Sequence, residues 1–182
     1  NGVEPGSGNS LMSYEGNCGA GGGCTNHNIS PSAGFQYFHS HNIAQIQSFV
    51  SGSAMCHTTT STGNSPPVIT MPASQTIPKE TPFVLSATVS DPDGDPLLLS
   101  WEEVDTDNLS LSCPNGAPND AATSTTAPLF RSFDPAADGA TRYFPQLSDV
   151  LNDTQTQGEI LPEVGRTIDM RFSARGTDPN GI

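Results

Sequence analysis

Few residues in this chain are typed and spaced for chemistry, and the histidines are the first to weigh. They stand at 27, 39, 41 and 57. On a helix, His39 and His41 would point about 200° apart and could not share a metal. The histidines are therefore read as solvent-facing or loop side chains rather than metal ligands. No HExxH occurs, so the chain lacks a helical zinc pair with its general base. The densest carboxylates are Asp91, Asp93 and Asp95, in Asp-Pro-Asp-Gly-Asp-Pro. Alternate carboxylates at a turn offer oxygen ligands for calcium, though no bidentate Glu stands downstream at the EF-hand distance. The competing reading is a solvated hairpin turn. Cys18, Cys24, Cys56 and Cys113 form no CxxC pair and suit disulfides in a secreted protein. No Gly-x-Ser-x-Gly elbow supports a serine hydrolase. The glycine-rich run 19–23 lacks the Lys-Ser/Thr and the preceding strand of a phosphate loop.

The elements that would hold these residues divide near 57–67, a Thr/Ser-rich, Pro-ended stretch that reads as an extended linker. Residues 1–56 are mostly turn chemistry. One helix is expected from about Ala33 to Ser51, with Phe38, Ile43, Ile46, Phe49 and Val50 largely on one face, a cap near Ser32 and an end at Gly52. One helix cannot bury its own stripe, so that face needs a partner. Residues 68–182 read as strands. Phe83, Leu85, Ala87 and Val89 alternate inward. The Asp91–Pro96 turn then leads into Leu97–Trp101 as the hairpin partner, with Trp101 as a core anchor. Further strands are expected at 128–133, 142–144 and 166–174, and a helical turn at 148–153. The pattern is mainly β, an immunoglobulin-like sandwich lacking its last strand.

Composition narrows the function. Six Lys+Arg face nineteen Asp+Glu, for a formal charge of −13, and no basic residue precedes Lys79. That excludes a nucleic-acid footprint, which needs clustered cations. No apolar run approaches the roughly 20 residues of a membrane span. The opening Asn-Gly-Val-Glu-Pro-Gly, with neither a basic nor an apolar region, does not read as a signal peptide. Asn28, Asn108 and Asn152 sit in glycosylation sequons.

Residues 4–16, with Ser10-Leu-Met-Ser-Tyr14 at their centre, resemble the Met-turn of metzincin zinc metallopeptidases. The motifs downstream of that turn are similar in their order to those of secreted bacterial reprolysin-like peptidases. They run from a Cys-Gly loop through Tyr37-Phe-His39, Ile43-Ala-Gln-Ile46, Cys56 and Thr62-Gly-Asn-Ser-Pro-Pro67 to Ile77–Phe83 and the Asp-x-Asp-Gly-Asp turn. Phe130-Arg-Ser-Phe133, Arg142-Tyr-Phe-Pro145 and Leu161-Pro162 with Arg166-Thr167 extend the likeness.

The resemblance implies a parent enzyme in which zinc, held by three histidines, activates water for hydrolysis of a protein or peptide substrate. Met12 would floor the zinc site, and Tyr14 would stand where some metzincins place a zinc-ligating or intermediate-stabilising tyrosine. It further implies that Cys18 or Cys24 pairs with Cys56. The HExxHxxGxxH helix is expected upstream, in a missing catalytic half. Residues 1–56 would be the C-terminal edge of the catalytic domain and 68–182 a truncated Ig-like module, inactive alone. The alternative is a non-catalytic secreted or cell-surface adhesion module, stabilised by calcium at Asp91, Asp93 and Asp95. A carbohydrate-binding sandwich finds little support in three Tyr and one Trp.

Overall fold

The computed structural model describes residues 2–13, 37–52, 61–106 and 120–177. Among them the protein is mixed, with short antiparallel strands in small sheets and three helices. The strands are β1 (Val68–Thr70), β2 (Phe83–Ser86), β3 (Thr88–Ser90), β4 (Leu97–Glu103), β5 (Thr141–Phe144) and β6 (Met170–Gly176). The helices are α1 (Ser40–Gly52), α2 (Asp120–Thr123) and α3 (Leu147–Asn152). The strands form three two-stranded ribbons, β1–β3, β2–β5 and β4–β6.

The alternation over 83–89 holds: Phe83, Leu85, Ala87 and Val89 turn inward, and Val84, Ser86 and Thr88 outward. Yet the run serves two sheets. Phe83 pairs with Phe144 in β2–β5, whereas Val89 pairs with Ile69 in β1–β3. The hairpin expectation is corrected. β4 does not pair with β3; it pairs with β6 from Leu97–Gly176 to Glu103–Met170. The Asp91–Pro96 turn therefore carries the chain between ribbons. The strand expected at 128–133 reduces to a single bridge, Phe130 with Glu159. Here the buried Glu103 carboxylate takes the Leu129 and Phe130 N–H groups in place of a neighbouring strand. The strand expected at 166–174 begins only at Met170, and the helical turn at 148–153 is present as α3.

One core lies between the β2–β5 and β4–β6 ribbons. Trp101, Leu129, Phe130, Phe144 and Phe172 are buried there. Trp101 is the anchor expected, 2% exposed, with its ring 5.0 Å from that of Phe172 and its indole N–H donating to the Ala140 carbonyl at 3.0 Å. Phe83 stacks on Phe144 at 4.9 Å, and Phe130 meets Phe144 edge-on at 5.1 Å.

The free side of β4 is closed by Leu99 and Ala136, which exchange both backbone hydrogen bonds at 2.9 and 3.0 Å. Gly139 is required by this closure, because a Cβ there would overlap the Leu99 carbonyl. Gly139→Ala is expected to cost about 2 kcal/mol by forcing the 136–139 turn away from β4. Urea denaturation monitored by Trp101 fluorescence measures it; an unchanged midpoint would show that the turn yields freely.

Candidate functional site: the turn at Ser10–Ser13 and its supports

The segment bearing Met12 is shaped by one carboxylate. Glu4 is buried and accepts the Ser10 hydroxyl at 2.6 Å, the Asn9 N–H at 3.3 Å and the Ser10 N–H at 3.4 Å. The chain folds back on itself through Gly8, which has φ +63 and donates its N–H to the Pro5 carbonyl. A side chain at Gly8 would meet Ser13 Cβ at 2.7 Å. The turn then closes as the Ser13 N–H and hydroxyl both reach the Ser10 carbonyl, at 3.0 and 2.6 Å. Its backbone is tied down while Leu11 and Met12 project outward, 53% and 65% exposed. Tyr14 and the four cysteines, including Cys18, Cys24 and Cys56, lie outside the described residues, as do the pairings expected of them.

The helix differs from expectation at its start. It begins at Ser40, so Phe38 and His39 precede it, and the cap placed near Ser32 lies outside the described residues. The first helical N–H groups have no partner within a helix. Here the Ser40 N–H donates to Glu102 Oε2 at 2.9 Å and the His41 N–H to His39 Nδ1 at 3.1 Å. A carboxylate from β4 thus caps α1 across the fold, and its charge faces the positive helix end. His39 lies in the loop before α1 and is fully buried, so of the solvent-facing or loop reading only the loop part holds for it. His41 is held below the usual imidazole range, first by burial and then by His39 and Arg171. The α1 stripe stays uncovered: Ile46, Phe49 and Val50 are 47%, 63% and 42% exposed. A groove of about 490 Å³ runs between this helix and β6, lined by His41, Ala44, Gln45, Ser48, Phe49 and Arg171.

Further bonds tie the two units together. Asn9 Nδ2 donates to the Ser132 carbonyl at 2.8 Å. Arg175 donates to the Phe38 carbonyl at 3.0 Å, lies 3.5 Å from Glu102 and covers the Tyr37 ring at 5.1 Å. Arg171 donates to the Ser40 carbonyl at 3.3 Å. Burial, reinforced by the charges of Glu4 and Glu102, pushes the Tyr37 phenol well above its usual range, against a hydrogen bond with Ser132 and the charge of Arg175. Neither Glu102 nor Arg175 was singled out from the sequence, and Glu4, Tyr37 and Ser132 entered only as members of motifs, with no role of their own. Only the buried acid at Glu4 has a local signature, a carboxylate six residues before the serine it binds.

The aspartate turn is built by its own side chains. Asp91 Oδ1 accepts the Asp93 and Asp95 N–H groups at 2.9 and 3.1 Å, and Asp93 Oδ2 accepts the Ser65 N–H at 2.6 Å. Gly94 supplies the positive φ at +81. Among the described residues, no three His, Cys, Asp or Glu side chains come together as a metal-holding group. No helix among them is long and apolar enough to cross a membrane. A separate cleft of about 330 Å³ opens near Trp101, Phe133, Asp134, Asp138, Arg142 and Tyr143. Burial raises the Asp134 carboxyl there above the usual range.

No protein-family model, curated protein or solved structure matches this chain.

Proposed function

We propose that this chain is the C-terminal part of a secreted zinc metalloendopeptidase of the metzincin, reprolysin-like kind. The observation that carries the reading is the turn at Ser10–Ser13. Glu4 and Ser10 fix its backbone, while Met12 stands 65% exposed at its tip. A rigid turn presenting a thioether outward is what an apolar floor beneath a metal requires. The uncovered Ile46, Phe49 and Val50 support the same reading, since an apolar helical stripe is normally buried against a neighbouring element.

Among the described residues no three side chains assemble as a metal site, and the sequence carries no HExxH, so in this reading the three histidines and the general base belong to an upstream half. Zinc bound there would supply polarisation of the scissile carbonyl and acidification of a water. In this reading the chain contributes the floor at Met12, and Tyr14, outside the described residues, holds the sequence position where some metzincins carry a zinc-ligating or intermediate-stabilising tyrosine. Residues 68–177 are read as an Ig-like sandwich whose facing layers are the β2–β5 and β4–β6 ribbons. The substrate is a protein or peptide, and the compartment is extracellular.

The test is the coding sequence before Asn1, then assay of the longer protein. An HExxHxxGxxH motif within about 10–40 residues of Asn1 is expected, with one zinc per chain and chelator-sensitive peptide hydrolysis. A start codon or an unrelated domain there would sink the peptidase reading.

A further inference from the structure

We infer that the β unit acts as a brace on the Met12 turn, with Glu102 and Arg175 as its positioning residues. The functional part of this inference rests on the peptidase reading; the mechanical part does not. The brace is a continuous set of contacts. Glu102 is fully buried on β4 and holds the first N–H of α1. Arg175 on β6 sits beside Glu102, binds the Phe38 carbonyl and covers the Tyr37 ring. The Tyr37 carbonyl in turn accepts the Leu11 N–H at 3.0 Å, one residue from Met12. A second strut runs from Asn9 to the Ser132 carbonyl. Tyr37, His39 and Ser40 are buried under this arrangement, while much of α1 beyond them is exposed. The turn is therefore held on two sides by the β unit, although long stretches of sequence separate the partners. A flexible spacer would leave residues 2–13 and 37–40 without these acceptors.

The experiment is hydrogen–deuterium exchange on this chain, together with the ¹³C methyl resonance of Met12. In Glu102→Ala, exchange across 37–52 and 2–13 is expected to rise about tenfold or more, because the buried Ser40 amide loses a charged acceptor. The Met12 methyl should shift, while β2 and β5 keep their protection. Arg175→Lys should partly restore what Arg175→Ala loses, since the charge beside Glu102 is kept and the planar stack on Tyr37 is not. Unchanged exchange at 37–52 with an unmoved Met12 signal would overturn the brace. So would a uniform rise over the whole chain, which marks general destabilisation. In a parent enzyme with the upstream motif, Glu102→Ala should lower kcat about fivefold or more with KM little changed. A parent without peptidase activity would remove the functional part alone and leave the exchange result standing.

Discussion

Glu103→Ala is expected to destabilise the fold by about 3–5 kcal/mol, because it leaves two buried amides without their acceptor and the buried Arg166 without its neighbour. The Glu103 side chain is fully buried. Its Oε2 accepts the Leu129 and Phe130 N–H groups, both at 2.7 Å, and its Oε1 lies 3.6 Å from Arg166 Nη2. Arg166 also binds Asp105 and the Ala127 carbonyl, each at 2.6 Å. Alanine would leave two buried amides without acceptors directly beneath Phe130, a core ring. Glu103→Gln keeps one carbonyl oxygen for both amides and should lose less than half as much. Burial first, then the hydrogen bond to Asp105, pushes the Glu103 carboxyl well above its usual range. A raised value in the fold means that this group's contribution is full below about pH 4.5 and is lost as pH rises through the folded value. The gap between wild type and Glu103→Gln should therefore narrow toward alkaline pH. Urea midpoints read through the single tryptophan compare all three proteins; a loss under about 1 kcal/mol for alanine would show that the 129–130 amides find other acceptors.

How much of this could be seen in the sequence depends on the range of each interaction. The inward face of 83–89 was legible because strand alternation fixes facing. Partner choice was not, because alternation is the same whichever strand lies alongside. Leu97–Trp101 after a Pro-Asp-Gly turn suggested a hairpin, yet Trp101 pairs with Phe172, far along the chain. At 128–133 the β-like composition was real, but Glu103 satisfied the amides that a strand would have shared. The start of α1 failed for a similar reason. Its cap is Glu102, in another element, and no local cap pattern encodes it.

The candidate site divides the same way. Turn chemistry before Ser10 was legible because Pro5, Gly6, Gly8 and Asn9 lie in one short stretch of chain, and Gly6 and Gly8 both take positive φ. Its supports were not, because Arg175 and Ser132 reach it from the far half of the chain. One compositional hint was available. A chain with nineteen acids and six bases places five of its bases, all arginines, between positions 131 and 175. Arg142, Arg166 and Arg175 each meet a buried glutamate there. The same stretch also holds seven acids, Asp134, Asp138, Asp149, Asp153, Glu159, Glu163 and Asp169, so gathered arginines there point to ion pairs without naming the partners.

Arg142→Ala is expected to cost about 3–5 kcal/mol and to change how stability depends on pH. The Arg142 guanidinium donates to the Trp101 carbonyl at 2.9 Å, to the Arg131 carbonyl at 2.6 Å and to Glu159 Oε1 at 2.6 Å. It lies 4.5 Å from the ring centres of both Phe133 and Phe144. A lysine cannot reproduce this fork, so Arg142→Lys should still lose about 2 kcal/mol. Burial lowers Arg142 and raises Glu159, so both partners shift against ionisation despite their contact. Glu159 is pushed up to about 7, with Arg142 and the Gln146 N–H pulling against burial. Because the folded value is raised, the contribution of Glu159 is full below about pH 4.5 and is lost as pH climbs through 7. Wild type should thus lose about 3 kcal/mol relative to Glu159→Gln between about pH 4.5 and 8, the linkage worth of a shift of that size. Removing Arg142 takes away the charge that favours the Glu159 carboxylate, so its titration should move above 7 in Arg142→Ala. Urea midpoints from about pH 4.5 to 8.5, with the ¹³C carboxyl resonance of Glu159, measure both effects. A wild-type profile parallel to that of Glu159→Gln would mean that the contact with Arg142 outweighs burial, and that this ion pair is charged throughout the range.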